Sequence, residues 1–92
     1  MIKTFKHKGI KGFFEKGSKA GIQAAHARRL GLQLAKLDSA KSAADMALPN
    51  WNLHQLSGKL VGYHAVTVNG NWRLIFKFEG ADALSVDYLD YH

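Results

Sequence analysis

The chain has 92 residues, a net charge of +6, 47% hydrophobic residues and no cysteine. Without cysteine there is no disulfide framework and no thiolate metal site. No apolar run approaches the roughly 18 residues of a membrane-spanning helix, and the hydrophobic content argues against disorder.

The length fits a single domain over residues 1–92. The N-terminus has lysines but no long apolar stretch, so no signal peptide is expected, which fits a cytoplasmic protein. Charge is unevenly placed. Residues 1–46 hold ten Lys/Arg against three acids, and residues 47–92 hold three against four. A basic half is the footprint of a polyanion binder, most often of nucleic acid.

Ile2–Phe5 alternates and reads as a short first strand, broken by Lys6, His7, Lys8 and Gly9. Ile10, Phe13 and Phe14 then fall at helical spacing, and Gly17 stops that helix as a C′ residue. A longer helix is predicted from about Ala20 to Ala40, with Ala27, Leu30, Leu34 and Leu37 as its apolar stripe. Arg29, Gln33 and Lys36 are expected on its opposite side, and His26 on its surface. Gly31 either costs helix stability or marks close packing against the first helix. A short helical turn over Ser42–Met46 ends before Pro49, and Leu53 and Leu56 look buried.

Asn69-Gly70 lies between two strand-forming runs and predicts a two-residue hairpin loop. In that register Val68 faces Asn71 and His64 faces Ile75. Tyr63, Ala65, Thr67, Trp72, Leu74, Phe76 and Phe78 then form the core face. His64, Val66, Val68, Arg73, Ile75 and Lys77 lie on the open face. A tight connection over residues 79–82 leads to a last strand, Ala83–Leu89, with Leu84, Val86 and Tyr88 on one side. The order is β-α-α-β-β-β, an α+β fold with two N-terminal helices on one face of a small, mainly antiparallel sheet.

The candidate chemistry is RNA cleavage. RNA carries its own nucleophile, the 2′-hydroxyl, so cleavage needs a base, an acid and positive charge on the phosphate. Histidine can perform either proton transfer near neutrality, and the planar fork of arginine suits a phosphate. Arg73 on the open face fits the phosphate role. His54 and His92 are candidate proton carriers, Tyr91 could stack on a base, and Asp90 could orient a histidine. No two histidines have the i, i+4 spacing of a helical zinc site, so neither a metal nor another cofactor is expected.

The opening IKTFKHKGIKGFFEKG, the segment Leu53–Gly58, the run VTVNGNWRLIFKF and the ending DYLDYH together resemble the HigB toxins of the RelE/ParE superfamily, almost end to end. The resemblance implies a RelE-like fold and a ribosome-dependent mRNA endonuclease that cuts the codon in the ribosomal A site. It also implies neutralisation by a HigA-type helix-turn-helix antitoxin, with a toxin–antitoxin heterotetramer as one form of the complex. His54, Asp90, Tyr91 and His92 match the family's active-site positions, and Arg73 the arginine of its NWR strand. Ser57 stands where the family often has lysine, and Lys59 is a nearby substitute. Lys16, Lys19, Arg28, Arg29 and Lys36 are expected to contact rRNA of the 70S ribosome. The chemistry expected is metal-independent attack of the 2′-oxygen, giving a 2′,3′-cyclic phosphate and a 5′-hydroxyl. The rivals are a ParE-like toxin acting on DNA gyrase and a non-catalytic RNA- or ribosome-binding module.

Overall fold

His7 opens the first helix. Its Nδ1 accepts the backbone N–H of Ile10 at 3.2 Å, the service usually given by Ser, Thr, Asp or Asn, and α1 runs over Lys8–Lys16. Gly17 closes it in the left-handed region at φ 74°, its N–H returned to the Gly12 and Phe13 carbonyls. Ile10 is buried, and Phe13 and Phe14 pack against the core from α1. The structure is a computed structural model that describes residues 1–91.

The second helix is shorter than its pattern predicts. Residues 17–23 form a loop, a 3₁₀ turn covers Ala24–His26, and α2 runs over Ala27–Ser39. Gly17, Ser18 and Gly21 weaken helix propensity here. The backbone of Gly21 also lies directly against Gly9 of α1, so a Cβ on either glycine would overlap the other. Leu30, Leu34 and Leu37 are buried as expected, and Gly31 faces the Phe13 ring, the close helix contact its position suggested. Two expectations are overturned. Gln33 is fully buried, and His26 is only 3% exposed.

After α2, a 3₁₀ turn over Ala43–Met46 seats Met46 in the core. Four antiparallel strands follow in sequence order: β1 His54–Gln55, β2 His64–Asn69, β3 Trp72–Glu79 and β4 Asp82–Asp90. The two helices precede the sheet, as the α+β reading requires. The predicted first strand is instead a pair of isolated parallel bridges, Ile2 to Ala83 and Phe5 to Val86. The segment is laced to β4 by Lys3 N–H to Ala83 O, Ala83 N–H to Met1 O, Val86 N–H to Thr4 O and Lys6 N–H to Val86 O, at 2.8–3.1 Å. Between the bridges β4 bulges, with Ser85 at φ 54°, and such a bulge interrupts a regular ladder. The bulge also puts Ala83, not Leu84, on the core face with Val86 and Tyr88.

The hairpin register differs from the two-residue reading by one residue on β2. Asn69 faces Trp72, Thr67 faces Arg73, and Val68 is the extra residue of a bulge. A slip of one residue turns a strand over. Val66 and Val68 therefore join Trp72, Leu74, Phe76, Ala83, Val86 and Tyr88 in the main core beneath the helices. Tyr63 and Ala65 turn to the other face, where they form a smaller cluster with Leu56 and Ile75. His64 pairs with Phe76 and stacks on its ring, so it leaves the open face. Arg73 keeps its predicted place there. Among the described residues no helix is long and apolar enough to cross a membrane.

Candidate active site

His54 reaches the open face through β1. It pairs with Ala65, which pairs with Ile75, so His54 shares a sheet face with Ala65, Thr67, Arg73 and Ile75. The imidazole is exposed, and its Nδ1 lies 2.7 Å from the Asn52 carbonyl. A carbonyl only accepts, so Nδ1 carries the proton and Nε2 of the neutral ring keeps its lone pair. Asn52 sits at φ 53° and Asn50 at φ 70°, conformations that asparagine tolerates better than most side chains. These two turns aim the ring. Beside His54 opens a shallow cleft of about 250 Å³ lined by Ala43, Ala44, Leu53, His54, Gln55 and His64.

Arg73 is half-buried at the hairpin. Its Nη1 donates to the carbonyls of Gly70 at 2.6 Å and Trp72 at 3.2 Å, and its Nε is buried with no acceptor among the described residues. The ladder spacings place the Cα atoms of His54 and Arg73 about 12 Å apart on one face, within joint reach of two long side chains.

The C-terminal strand meets the same hairpin. Leu89 faces Arg73, Asp90 faces Trp72, and the Tyr91 N–H donates to the Asn71 carbonyl at 2.8 Å. Alternation puts Leu89 on the Arg73 face and Asp90 on the opposite face with Trp72. Tyr91 is 37% exposed. His92 lies outside the described residues. Two further cations lie by the Tyr63 ring of that face, Lys77 as the hairpin alternation expected, and Lys6 from the N-terminal segment. The ammonium groups of Lys77 and Lys6 lie 4.7 and 5.7 Å from the Tyr63 ring centre.

The basic residues expected to grip RNA divide into sets. Lys16 on α1, Lys19 in the loop after it, and Arg28 and Lys36 on α2 are exposed. Lys59 is exposed in the turn Gly58–Leu60, and Ser57 precedes it. Arg29 differs from both, being half-buried with its guanidinium bonded to the carbonyls of Thr67 and Asn50.

Sequence reasoning missed a cluster behind Asp90. His26 Nδ1 and Tyr88 Oη share a 2.6 Å hydrogen bond, the Trp72 ring lies tilted against Tyr88 at 4.6 Å, and His7 meets the Tyr88 ring edge-on at 5.2 Å. Burial pushes the Tyr88 phenol above its ordinary value, opposed in part by the Gln23 backbone N–H. The alternation of Tyr88 with Val86 marked it as a core residue. Nothing in the pattern around His26 marked its partner, 62 residues away.

Residues 3–92 match the family model described as a RelE-like toxin of the type II toxin-antitoxin system HigB. The chain belongs to the HigB family of RelE-like toxins. It is similar to the endoribonuclease HigB of Proteus vulgaris, 41% identical over 92 residues with both chains fully covered. It is also similar to toxin HigB-1 of Vibrio cholerae serotype O1, 33% identical over 98 residues, covering 100% of this chain and 98% of that one. A toxin of such a module has an antitoxin as its partner.

Proposed function

We propose that this HigB-family toxin is a cytoplasmic, ribosome-dependent mRNA endonuclease in which one RelE-like domain carries the whole site. The observation that supports this best is the sheet register. Through it an imidazole with an open Nε2 and a guanidinium share one sheet face, with the Tyr91 N–H bonded to the turn beside that guanidinium.

In this reading the 2′-oxygen of the target nucleotide attacks the adjacent phosphorus, and the bond to the 5′-oxygen breaks. The products are a 2′,3′-cyclic phosphate and a 5′-hydroxyl. His54, through Nε2, and His92 carry the two protons, one leaving the 2′-hydroxyl and the other arriving on the departing oxygen. Arg73 takes the charge that develops on the phosphoryl oxygens, which a fixed, partly desolvated guanidinium does better than water. Asp90 orients a histidine, and Tyr91 stacks on or positions a base. These steps need no metal, since the substrate supplies the nucleophile and histidines the proton transfers.

The exposed cations of the helical layer, Lys16, Lys19, Arg28 and Lys36, with Lys59 on its turn, meet rRNA phosphates of the 70S ribosome. The antitoxin is a HigA-type helix-turn-helix protein, and the complex is a heterotetramer of two toxins and two antitoxins.

A translation reaction followed by primer extension along the message tests the proposal. Discrete cuts within codons, dependent on ribosomes, are the expected result. Inhibited DNA supercoiling with intact message would replace it with a gyrase inhibitor. Ribosome binding with intact message would replace it with a binding module.

A further inference from the structure

The outer edge of β2 lacks a full strand partner. β1 pairs with it only at Ala65 and His64, and beyond that point Thr67 presents its N–H and carbonyl to the side. The N–H donates to the Trp51 carbonyl at 2.8 Å. The carbonyl receives two side chains from α2, Arg29 Nε at 3.1 Å and Gln33 Nε2 at 2.8 Å. The same guanidinium donates through Nη2 to the Asn50 carbonyl. One side chain thus holds together a strand edge and the loop beside it, and both lead into the candidate site. Thr67 faces Arg73, and the loop over residues 50–52 ends at the Asn52 carbonyl that sets the His54 ring.

We propose that Arg29, assisted by Gln33, is a positioning residue for RNA cleavage, fixing the loop that aims His54 to the strand that faces Arg73. This rests on the reading of His54 as a proton carrier. It also separates Arg29 from its neighbour Arg28. A guanidinium with Nε and Nη2 bonded to two protein carbonyls is poorly placed to grip a phosphate with its fork, whereas Arg28 is exposed on the outside of α2. Lysine cannot replace Arg29, because an ammonium is a point donor and the two carbonyls need a planar fork. Gln33 is fully buried, and its Oε1 has no donor among the described residues. The bond its amide nitrogen makes to Thr67 offsets part of the cost of that burial.

The test compares Arg29→Lys with Arg28→Ala and His54→Ala in ribosome-dependent mRNA cleavage. Three readouts are taken: kcat, KM for programmed ribosomes with its salt dependence, and the NMR shift of the His54 Cε1–H. For Arg29→Lys the expected result is a fall in kcat of about 10- to 100-fold, the size of effect that a misplaced catalytic group produces. KM should stay within about twofold and the salt slope should be kept, while the His54 signal moves and that of His7 does not. Arg28→Ala should instead raise KM and lower the salt slope. Should Arg29→Lys fail to fold, Gln33→Met removes one bond to the Thr67 carbonyl at similar volume and carries the same expectation on a smaller scale.

Raised KM and a lower salt slope with kcat retained in Arg29→Lys would make Arg29 a phosphate contact and overturn the proposal. Unchanged kcat and an unmoved His54 signal would overturn it too, with the site intact if His54→Ala has lost cleavage. Full cleavage by His54→Ala would remove the site reading and this inference with it.

Discussion

Tyr91 donates its backbone N–H to the carbonyl of Asn71 at 2.8 Å. Asn71 lies in the hairpin turn whose Gly70 carbonyl accepts Nη1 of Arg73 at 2.6 Å. The tail and the arginine are therefore registered against one turn. Tyr91→Pro removes the donor at the last position of the ladder, where little else depends on it. Cleavage should fall at least about tenfold while the melting temperature barely moves. Tyr91→Phe keeps the backbone bond and isolates the hydroxyl. Parallel melts and primer-extension rates check both.

Loss of either proposed proton carrier should cost more. His54→Ala and His92→Gln should each lower the cleavage rate by about 10²- to 10⁴-fold, the usual worth of a positioned acid or base. Circular dichroism should stay unchanged, because His54 is exposed and makes one side-chain hydrogen bond to its own loop. Cleavage retained in His92→Gln would end that residue's assigned role.

Charge reversal on the helical layer addresses binding instead. Arg28→Glu with Lys36→Glu should weaken ribosome association and flatten its dependence on salt, by about one unit of log–log slope for each phosphate no longer neutralised. Both side chains are exposed, so stability should change little. Association measured across a salt series decides the outcome.

Two glycines of α1 should respond in opposite directions. Gly9→Ala drives a methyl into the Gly21 backbone and should destabilise by about 1–3 kcal/mol, as overpacking does. Gly12→Ala meets nothing within 4 Å and should stabilise by about 0.5–1 kcal/mol. Denaturant melts of the two variants, side by side, measure the difference.

The buried phenol gives an alkaline signature. Tyr88 ionises in the folded protein only above its usual value of 10.0. The unfolded chain loses that proton first. Tyr88 therefore contributes its full stability below pH about 10, and that contribution declines as pH rises through the folded value. Tyr88→Phe should flatten this alkaline decline. At neutral pH it should cost about 1 kcal/mol for the lost bond to His26. Thermal melts from pH 7 to 11 test both.

Long apolar periodicities were legible in the sequence. The Leu30, Leu34, Leu37 stripe, the Trp72–Phe78 alternation and the Gly17 stop all appear where local chemistry puts them. What escaped was set by tertiary contacts. The bulge at Val68 turned β2 over, because Val66 and Val68 gain more under the helices than Ala65 and Thr67 would. Gln33 and Arg29 read as outward-facing polar residues, yet they satisfy a β2 carbonyl that no strand covers. The residues proposed for the site were recognisable by type and by likeness to the HigB family. That His54 and Arg73 share one face follows from pairings between β1, β2 and β3 that no local window contains.

The lacing of Lys3 and Lys6 to Ala83 and Val86 has a consequence for biosynthesis. The start of the polypeptide waits, without its neighbour, until residues 83–86 have been made. A nascent chain stalled before residue 83 cannot close this seam, and the tail that bears Asp90 and Tyr91 emerges later still. Both the seam and the tail thus depend on residues made after the two helices and the first three strands.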